Sequence, residues 1–217
     1  MRTRIKICCI QDTEEAKIAV ESGADAIGLV ARMPSGPGPI SDELIRKISL
    51  SVPPLIGTFL LTCETSAVEI IKHHHRTNTN TIQIVDLLSD GTYSQIREAL
   101  PSVKIVQVIH VIDSGSVDLA LKISDNVDAL LLDSGNPGLK VKELGGTGRV
   151  HNWDLSRKIR ENSKCPVILA GGLNPSNIKQ AIDHVKPYAV DICNGVRTDG
   201  KLDKNKLLEF VRNVYNI

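Results

Sequence analysis

Short runs of aliphatic residues recur along the chain, and each is followed by a segment whose apolar residues have helical spacing. Eight such runs predict strands, at residues 5–10, 26–31, 55–61, 81–85, 103–111, 129–133, 167–170 and 188–193. The segments that follow predict helices, at residues 13–22, 41–50, 65–76, 92–100, 116–124, 153–161, 175–184 and 204–214. Aliphatic runs of this length are typical of parallel strands that are buried on both faces.

Strict alternation of strands and helices favours a parallel sheet with right-handed crossovers. Eight repeats with no linker or break in composition predict a single α/β domain over residues 1–217, a (β/α)8 TIM barrel. The alternative is an open, doubly wound sheet. The barrel is favoured because the count is eight and because no G-x-G-x-x-G motif follows an early strand.

Composition excludes several classes of protein. The chain has 26 Lys and Arg against 25 Asp and Glu, a net charge of +1, which gives no indication of a nucleic-acid or membrane partner. The five cysteines form no C-x-x-C pair, which argues against a zinc site or a disulfide framework and favours the reducing cytoplasm. No apolar signal core precedes the first strand, and no run of about 18 apolar residues follows.

Glycines follow the last two predicted strands. Gly171-Gly172 comes after residues 167–170, and Asn194-Gly195 comes after the eighth strand. Glycine lets the backbone approach a ligand, and a helix predicted to start at Pro175 would direct free N–H groups toward it. A pair of glycines also occurs at sharp turns, but two such sites after strands seven and eight predict a phosphate site.

Three further features concern chemistry. Asp133 ends a strand after four aliphatic residues, a place where a carboxylate is costly unless it is paired or functional. Cys8 and Cys9 are adjacent, so strand alternation predicts one thiol inside the barrel and the other toward the helices. Asp86 is interpreted as structural, and the histidines at 73–75 as a solvated helix end rather than a metal site, because adjacent helical residues diverge.

Several motifs together resemble those of the phosphoribosylanthranilate isomerase family. They are Lys6-Ile-Cys-Cys-Ile10, Gly23-Ala-Asp-Ala-Ile-Gly28, Gly57 and Phe59, Leu130-Leu-Leu-Asp-Ser134, Gly145-Gly-Thr-Gly148, Trp153, Leu169-Ala-Gly-Gly-Leu-Asn-Pro175, Val190-Asp191 and Gly195-Val196. The resemblance implies a TIM barrel that performs an Amadori rearrangement in tryptophan biosynthesis, converting an N-linked aminoaldose into an aminoketose.

The resemblance also implies roles for single residues. Cys8 would be the general base and Asp133 the general acid, with no cofactor and no metal. The 5-phosphate of a small-molecule substrate would lie on Gly146, Gly171, Gly172, Leu173, Asn194, Gly195 and Val196. The protein would be a monomer or a homodimer.

The chain departs from the family pattern in four places. Cys9 replaces a glycine, and Ser35-Gly-Pro-Gly38 replaces Ser-Pro-Arg, whose arginine would bind the anthranilate carboxylate. Gln83-Ile-Val-Asp86 replaces Gln-Leu-His-Gly, and Cys193-Asn-Gly-Val-Arg197 replaces Ser-Ser-Gly-Val-Glu. Loss of that arginine would weaken binding by about 1.5–3 kcal/mol.

Arg32, earlier in the same loop, and Gln83 are therefore candidate substrate-binding residues. Two alternatives remain open beside the isomerase. One is a diverged family member acting on another phosphorylated aminosugar or sugar. The other is a non-catalytic phosphosugar-binding protein.

Overall fold

A computed structural model of the protein describes residues 2–215 and contains, within them, a closed barrel of eight parallel strands. The strands are β1 Arg4–Ile7, β2 Ala26–Val30, β3 Gly57–Thr62, β4 Thr81–Ile84, β5 Lys104–His110, β6 Ala129–Asp133, β7 Val167–Leu169 and β8 Ala189–Ile192. The helices are α1 Thr13–Glu21, α2 Asp42–Ser51, α3 Ala67–Thr77, α4 Tyr93–Ala99, α5 Gly115–Ser124, α6 Trp153–Asn162, α7 Ile178–Val185 and α8 Lys204–Tyr215.

The barrel closes through the pairing of the first and last strands. Arg4 lies opposite Ala189 and Ile7 opposite Ile192, both in parallel register. Each strand pairs with its neighbours in chain order, so the predicted TIM barrel is confirmed and the open sheet is excluded. Among residues 2–215, no helix has the length and apolar content needed to cross a bilayer.

Apolar side chains, most of them aliphatic, form the layer between the strands and the helices. Ile27, Leu60 and Ile105 are fully buried on the strands, and Ile48 and Phe210 are fully buried on the helices that cover them. Burial of one such side chain contributes about 1.5–3 kcal/mol. This layer fixes the strands, and therefore fixes the residues that follow each strand at its carboxyl end.

Side-chain caps begin several of the helices. The side chains of Asp12 and Ser41 accept from the N–H groups of Glu15 and Leu44. Thr92 forms a reciprocal capping box with Gln95. These bonds satisfy N–H groups that a helix terminus would otherwise leave free.

Several boundaries differ from the prediction. The third strand begins at Gly57 rather than Leu55, because Leu55 is 99% exposed and has a left-handed φ of 75°. Helix α7 begins at Ile178 rather than Pro175. A 3-10 turn, Asn194–Val196, and a hairpin of β9 Arg197–Thr198 with β10 Lys201–Leu202 follow β8 and were not predicted.

The prediction of a solvated histidine run is wrong for two of its three members. His73 and His74 are each 6% exposed. The Nδ1 atom of His73 lies 2.8 Å from Thr62 Oγ1, and the Nε2 atom of His74 lies 2.6 Å from the Thr79 carbonyl. Within the described part of the chain, no group of three His, Cys, Asp or Glu side chains has a metal-binding arrangement.

Candidate active site

The carboxyl ends of the strands surround a cavity of about 290 Å³. Residues from most of the strands line it, and they include nine of the eleven candidate site residues: Cys8, Gln83, Asp133, Gly146, Gly171, Gly172, Leu173, Asn194 and Gly195. The cavity lies where barrel enzymes carry their catalytic groups. The other two candidates, Arg32 and Val196, do not line it.

Both Cys8 and Cys9 face this cavity, so the prediction that their side chains point in opposite directions is wrong. Alternation holds only within a strand, and β1 ends at Ile7. Cys9 then adopts a left-handed φ of 63°, which turns its side chain back toward the cavity. Cys8 is 6% exposed and Cys9 is 5% exposed.

A buried ion pair fixes the backbone of Cys9. Both Arg197 and Glu15 are buried, and each guanidinium Nη atom donates to the Glu15 carboxylate at 2.9 Å. Arg197 also donates to the carbonyl oxygens of Cys9 and Gly200. The turn after β1 is therefore bound to the hairpin after β8, a connection that the sequence pattern did not indicate.

A second buried pair lies below the thiols. Lys6 Nζ donates to Asp191 Oδ2 at 2.8 Å, and both residues are buried. Burial opposes the charge on Lys6, but the anions around it prevail and raise the pKa of Lys6 above its usual range. A Cβ added at Gly28 would lie 2.8 Å from Cys8 Sγ and 2.9 Å from Lys6 Nζ, so both groups converge on this glycine.

The thiols of Cys8 and Cys9 respond differently to this environment. The neighbouring side chain of Cys9, aided by the positive charge of Lys6, lowers the pKa of Cys8 against the effect of burial. The neighbouring side chains of Cys193 and Cys8, together with burial, raise the pKa of Cys9. Cys8 is therefore the thiol that more readily becomes a thiolate.

Asp133 ends β6 and lines the same cavity. Its Oδ1 atom accepts from the N–H group of Ser134 at 2.7 Å. Burial raises the pKa of Asp133, although that hydrogen bond and the His110 ring oppose the rise. A carboxyl of this kind keeps its proton to a higher pH than an exposed one does.

The glycine-rich turn after β7 presents free backbone donors. Within residues 2–215, the N–H groups of Gly172 and Leu173 donate to no protein acceptor. The following helix begins three residues later than predicted, because residues 174–177 form a turn of their own. The Asn174 carbonyl accepts from the N–H of Ile178 at 3.1 Å, so the first N–H group of α7 is already used.

The turn after β8 packs tightly on the turn after β7. A Cβ added at Gly195 would lie 2.2 Å from the Leu173 carbonyl oxygen. Val196, by contrast, is fully buried outside the cavity, and its N–H donates to the Cys193 carbonyl at 3.4 Å. The two glycine turns thus form one wall of the cavity without Val196.

Residues 134–150, here termed the lid loop, cover that wall. The side chain of Asn194 donates to the Gly146 carbonyl at 3.0 Å, and Ser35 Oγ donates to the Lys142 carbonyl at 2.7 Å. Lys142 also forms an ion pair with Asp86. Asp86, interpreted as structural from the sequence, therefore binds the lid loop.

The opposite wall is largely apolar. Its side chains are Val30, Met33, Leu61 and Val85. Gln83 is 3% exposed, and its Oε1 atom has no partner, so the cavity contains one unused amide acceptor. Arg32 is exposed outside this wall, and no Arg, Lys or His is among the residues that line the cavity in the described chain.

Comparisons with known proteins agree on one family. A profile described as N-(5'phosphoribosyl)anthranilate (PRA) isomerase matches residues 5–213. N-(5'-phosphoribosyl)anthranilate isomerase 2 of Methanosarcina mazei is 37% identical over 215 residues, which are 98% of this chain and 94% of the relative.

Solved structures of the same family superpose on the barrel. Phosphoribosyl anthranilate isomerase of Thermotoga maritima has a TM-score of 0.81 at 29% identity, covering 99% of this chain and 100% of that one. A phosphoribosyl anthranilate isomerase in complex with reduced 1-(o-carboxyphenylamino)-1-deoxyribulose 5-phosphate has a TM-score of 0.79 at 28% identity, with coverage of 99% and 100%.

Proposed function

From the premise that the chain belongs to the phosphoribosylanthranilate isomerase family, we propose that it isomerises N-(5'-phosphoribosyl)anthranilate. The product would be 1-(o-carboxyphenylamino)-1-deoxyribulose 5-phosphate, an intermediate of tryptophan biosynthesis. The reaction moves hydrogen between neighbouring carbons of one molecule, and the residues proposed below carry it without a cofactor.

One observation carries the assignment of roles. The cavity contains a thiol whose pKa is lowered and a carboxyl whose pKa is raised. Two titratable groups with pKa values moved in these directions are suited to act as a base and an acid in one site. We therefore assign the base to Cys8 and the acid to Asp133.

The proposed reaction begins with two proton transfers, and the enolamine that they form then becomes the aminoketose by gaining a proton at C1 and losing the proton of the C2 hydroxyl. The Asp133 carboxyl donates its proton to the ring oxygen of the ribose, and the C1–O bond breaks to leave a protonated Schiff base. The Cys8 thiolate then removes the proton from C2, and the electrons of that bond move toward the nitrogen to form an enolamine. General acid and base groups of this kind each accelerate a reaction by about 10²–10⁴-fold.

Three polar features would position the substrate. The free N–H groups of Gly172 and Leu173 are suited to the 5-phosphate, as backbone donors in glycine-rich turns are in other anion sites. Gly195, after β8, and Gly146, in the lid loop, line the cavity together with Gly172 and Leu173. The unpartnered Gln83 Oε1 is an acceptor for the bridging N–H group of the substrate.

The test is rescue of a tryptophan-requiring strain that lacks this isomerase, combined with the fluorescence change of purified protein with phosphoribosylanthranilate. Wild type should rescue growth and turn over the substrate, whereas Cys8→Ala and Asp133→Asn should do neither. Folded wild-type protein without turnover would overturn the proposed substrate. Unchanged turnover in either variant would overturn the role of that residue.

A second candidate has one observation in its favour. The absence of a cation from the cavity lining of the described chain leaves the anthranilate carboxylate without a charged partner. A diverged member acting on a phosphorylated aminosugar without that carboxylate would fit the apolar wall. Binding of the reduced product analogue with and without its carboxylate separates the two, since a true carboxylate site predicts at least tenfold weaker binding without it.

We place the reaction in the cytoplasm. The proposed base has to be a free thiol, and all five cysteines are unpaired. In the cytoplasm, glutathione and thioredoxin keep thiols reduced.

A further inference from the structure

Two departures from the family sequence pattern meet at the turn after β1. Cys9 stands where the pattern has glycine, and Arg197 stands where it has glutamate. Cys9 has a left-handed φ of 63°, a conformation that glycine adopts readily and that a residue with a side chain adopts only at a cost. A cysteine at this position therefore needs a restraint that a glycine would not need.

The peptide bond that follows Cys9 is bound at both of its polar atoms. The Cys9 carbonyl accepts from Arg197 Nη2, and the N–H group of Ile10 donates to the Gly28 carbonyl at 3.1 Å. These two hydrogen bonds fix the orientation of the peptide and so the backbone of Cys9. Of the two, only the bond from Arg197 comes from a side chain, so it is the one that substitution can remove.

Arg197 is itself fixed by Glu15 of α1. Its Nη1 and Nη2 atoms each donate to one carboxylate oxygen at 2.9 Å, and both residues are buried. The same carboxylate accepts from the N–H groups of Gln11 at 3.0 Å and Leu202 at 2.9 Å. A guanidinium bound in this bidentate way has a defined orientation, so its donor is directed at the Cys9 carbonyl.

The same turn determines where the Cys8 sulfur lies. A Cβ built on Gly28 would lie 2.8 Å from Cys8 Sγ and 2.9 Å from Lys6 Nζ, so the thiol and the cation share one small space. We propose that Arg197 is a positioning residue, which holds Cys9 in its left-handed conformation and thereby keeps the Cys8 sulfur beside Lys6 in the cavity. This inference rests on the proposed function, because it takes Cys8 as the base.

Loss of the bond from Arg197 would allow the turn to relax. With its carbonyl unbound, Cys9 would lower its free energy by returning to a negative φ, and this rotation moves the peptide bond that joins it to Cys8. A sulfur displaced from Lys6 loses the positive charge that stabilises its thiolate. A glycine at residue 9 has no such strain to relieve, so it would keep its conformation.

Kinetics in two backgrounds test the proposal. Glu15→Gln combined with Arg197→Met removes the ion pair and leaves no buried charge unpaired, so this double variant should fold. In an otherwise wild-type chain it should lower kcat for phosphoribosylanthranilate about tenfold and change KM less than about twofold. In a Cys9→Gly background the same double substitution should lower kcat less than about twofold, because the strain is absent.

Alkylation provides a measurement that does not depend on turnover. Iodoacetamide reacts with the thiolate, and mass spectrometry of the peptide that contains residues 8 and 9 assigns the modified sulfur. Near neutral pH, removal of the ion pair should slow alkylation of Cys8 about tenfold in the otherwise wild-type chain. In the Cys9→Gly background the rate at Cys8 should change less than about twofold.

The matched control is Arg97→Met on α4. The guanidinium of Arg97 also donates to a carboxylate, that of Asp128, and to a backbone carbonyl, that of Asn126, and none of the three residues lines the cavity. Both kcat and the rate at Cys8 should stay at their wild-type values. Equal losses with and without Cys9→Gly, or no loss in either background, would overturn the proposal.

Failure of this proposal and failure of the proposed function give different results. If Cys8→Ala keeps full turnover while alkylation of Cys8 depends on the ion pair as expected, the turn is positioned by Arg197 and Cys8 is not the base. If Cys8→Ala abolishes turnover while removal of the ion pair acts equally in the two backgrounds, Cys8 remains the base and the role of Arg197 falls.

Discussion

The side chain of Cys9 occupies the space in which a side chain at residue 38 would begin, since a Cβ built on Gly38 lies 2.7 Å from the Cβ of Cys9. Gly38 also has a left-handed φ of 77°. The glycine at 38 and the cysteine at 9 are therefore complementary. The loop after β2 passes over Cys9 only because Gly38 has no side chain.

A double-mutant cycle at these two positions should reveal the coupling. We expect Gly38→Ala to lower the free energy of unfolding by about 1–3 kcal/mol, through crowding and backbone strain. In a Cys9→Gly background the 2.7 Å contact disappears and the nearest atom becomes the Cα of residue 9 at 3.2 Å, so the same substitution should cost at least about 0.5 kcal/mol less. Urea denaturation of the four proteins measures both values. Equal costs in the two backgrounds would contradict the predicted contact.

Asp133→Asn should lower the turnover of the protein and raise its stability at pH 7. Burial raises the pKa of Asp133 in the folded protein, so the folded state binds this proton more tightly than the unfolded state does. The group therefore favours folding fully below the unfolded carboxyl pKa of about 3.9, and this contribution is lost as the pH rises through the folded pKa.

Asparagine carries no charge and can still accept from the Ser134 N–H. At pH 7 the variant should therefore unfold at a higher denaturant concentration than wild type, whereas at about pH 3.5 the two should coincide. Turnover should fall about 10²–10⁴-fold. Asp183→Asn, on the exposed face of α7, controls for the change in net charge. A variant less stable than wild type at pH 7 would refute the desolvation argument.

Two glycines with similar backbones should differ in their tolerance of alanine. Gly172 has φ 63° and Gly148 has φ 70°. A Cβ at Gly172 would lie 2.6 Å from the carbonyl carbon of Arg149, whereas a Cβ at Gly148 would meet nothing within 4 Å. Inorganic phosphate, assayed as a competitive inhibitor, should bind Gly172→Ala at least tenfold more weakly, and Gly148→Ala as wild type. Similar losses in both variants would show that backbone strain alone is responsible.

Removal of the buried cation should cost more than removal of the whole pair. Arg197→Ala leaves the Glu15 carboxylate buried without its partner, and we expect a loss of about 3–5 kcal/mol in unfolding free energy. In the double variant Glu15→Gln and Arg197→Met no charge remains unpaired, while the amide oxygen introduced by the first substitution still accepts from the backbone. That protein should regain more than about 1 kcal/mol in thermal or urea unfolding. A double variant as unstable as the single one would contradict the argument.

Much of the barrel follows from the sequence because buried parallel strands are aliphatic, and β6 spans the predicted residues. The direction of the Cys9 side chain could not be predicted from the sequence. Residue 9 has a left-handed φ, but it is not one of the residue types, such as glycine or asparagine, that usually indicate one. The burial of His73 depends on Thr62 and Asp42, which only the folded chain brings near it. The hairpin after β8 had a local signal in Asp199-Gly200, whose φ values of 51° and 77° are typical of its turn.

The lid loop is attached to the barrel rim at three separated places, through Ser35 after β2, Asp86 after β4 and Asn194 after β8. None of the three contacts uses a group that a bound ligand would supply. The lid loop is therefore attached over the cavity by contacts within the protein alone, and one of the three, the ion pair between Lys142 and Asp86, weakens as ionic strength rises. A higher salt concentration should therefore speed the exchange of small molecules between the cavity and solvent without changing the rate of the chemical step.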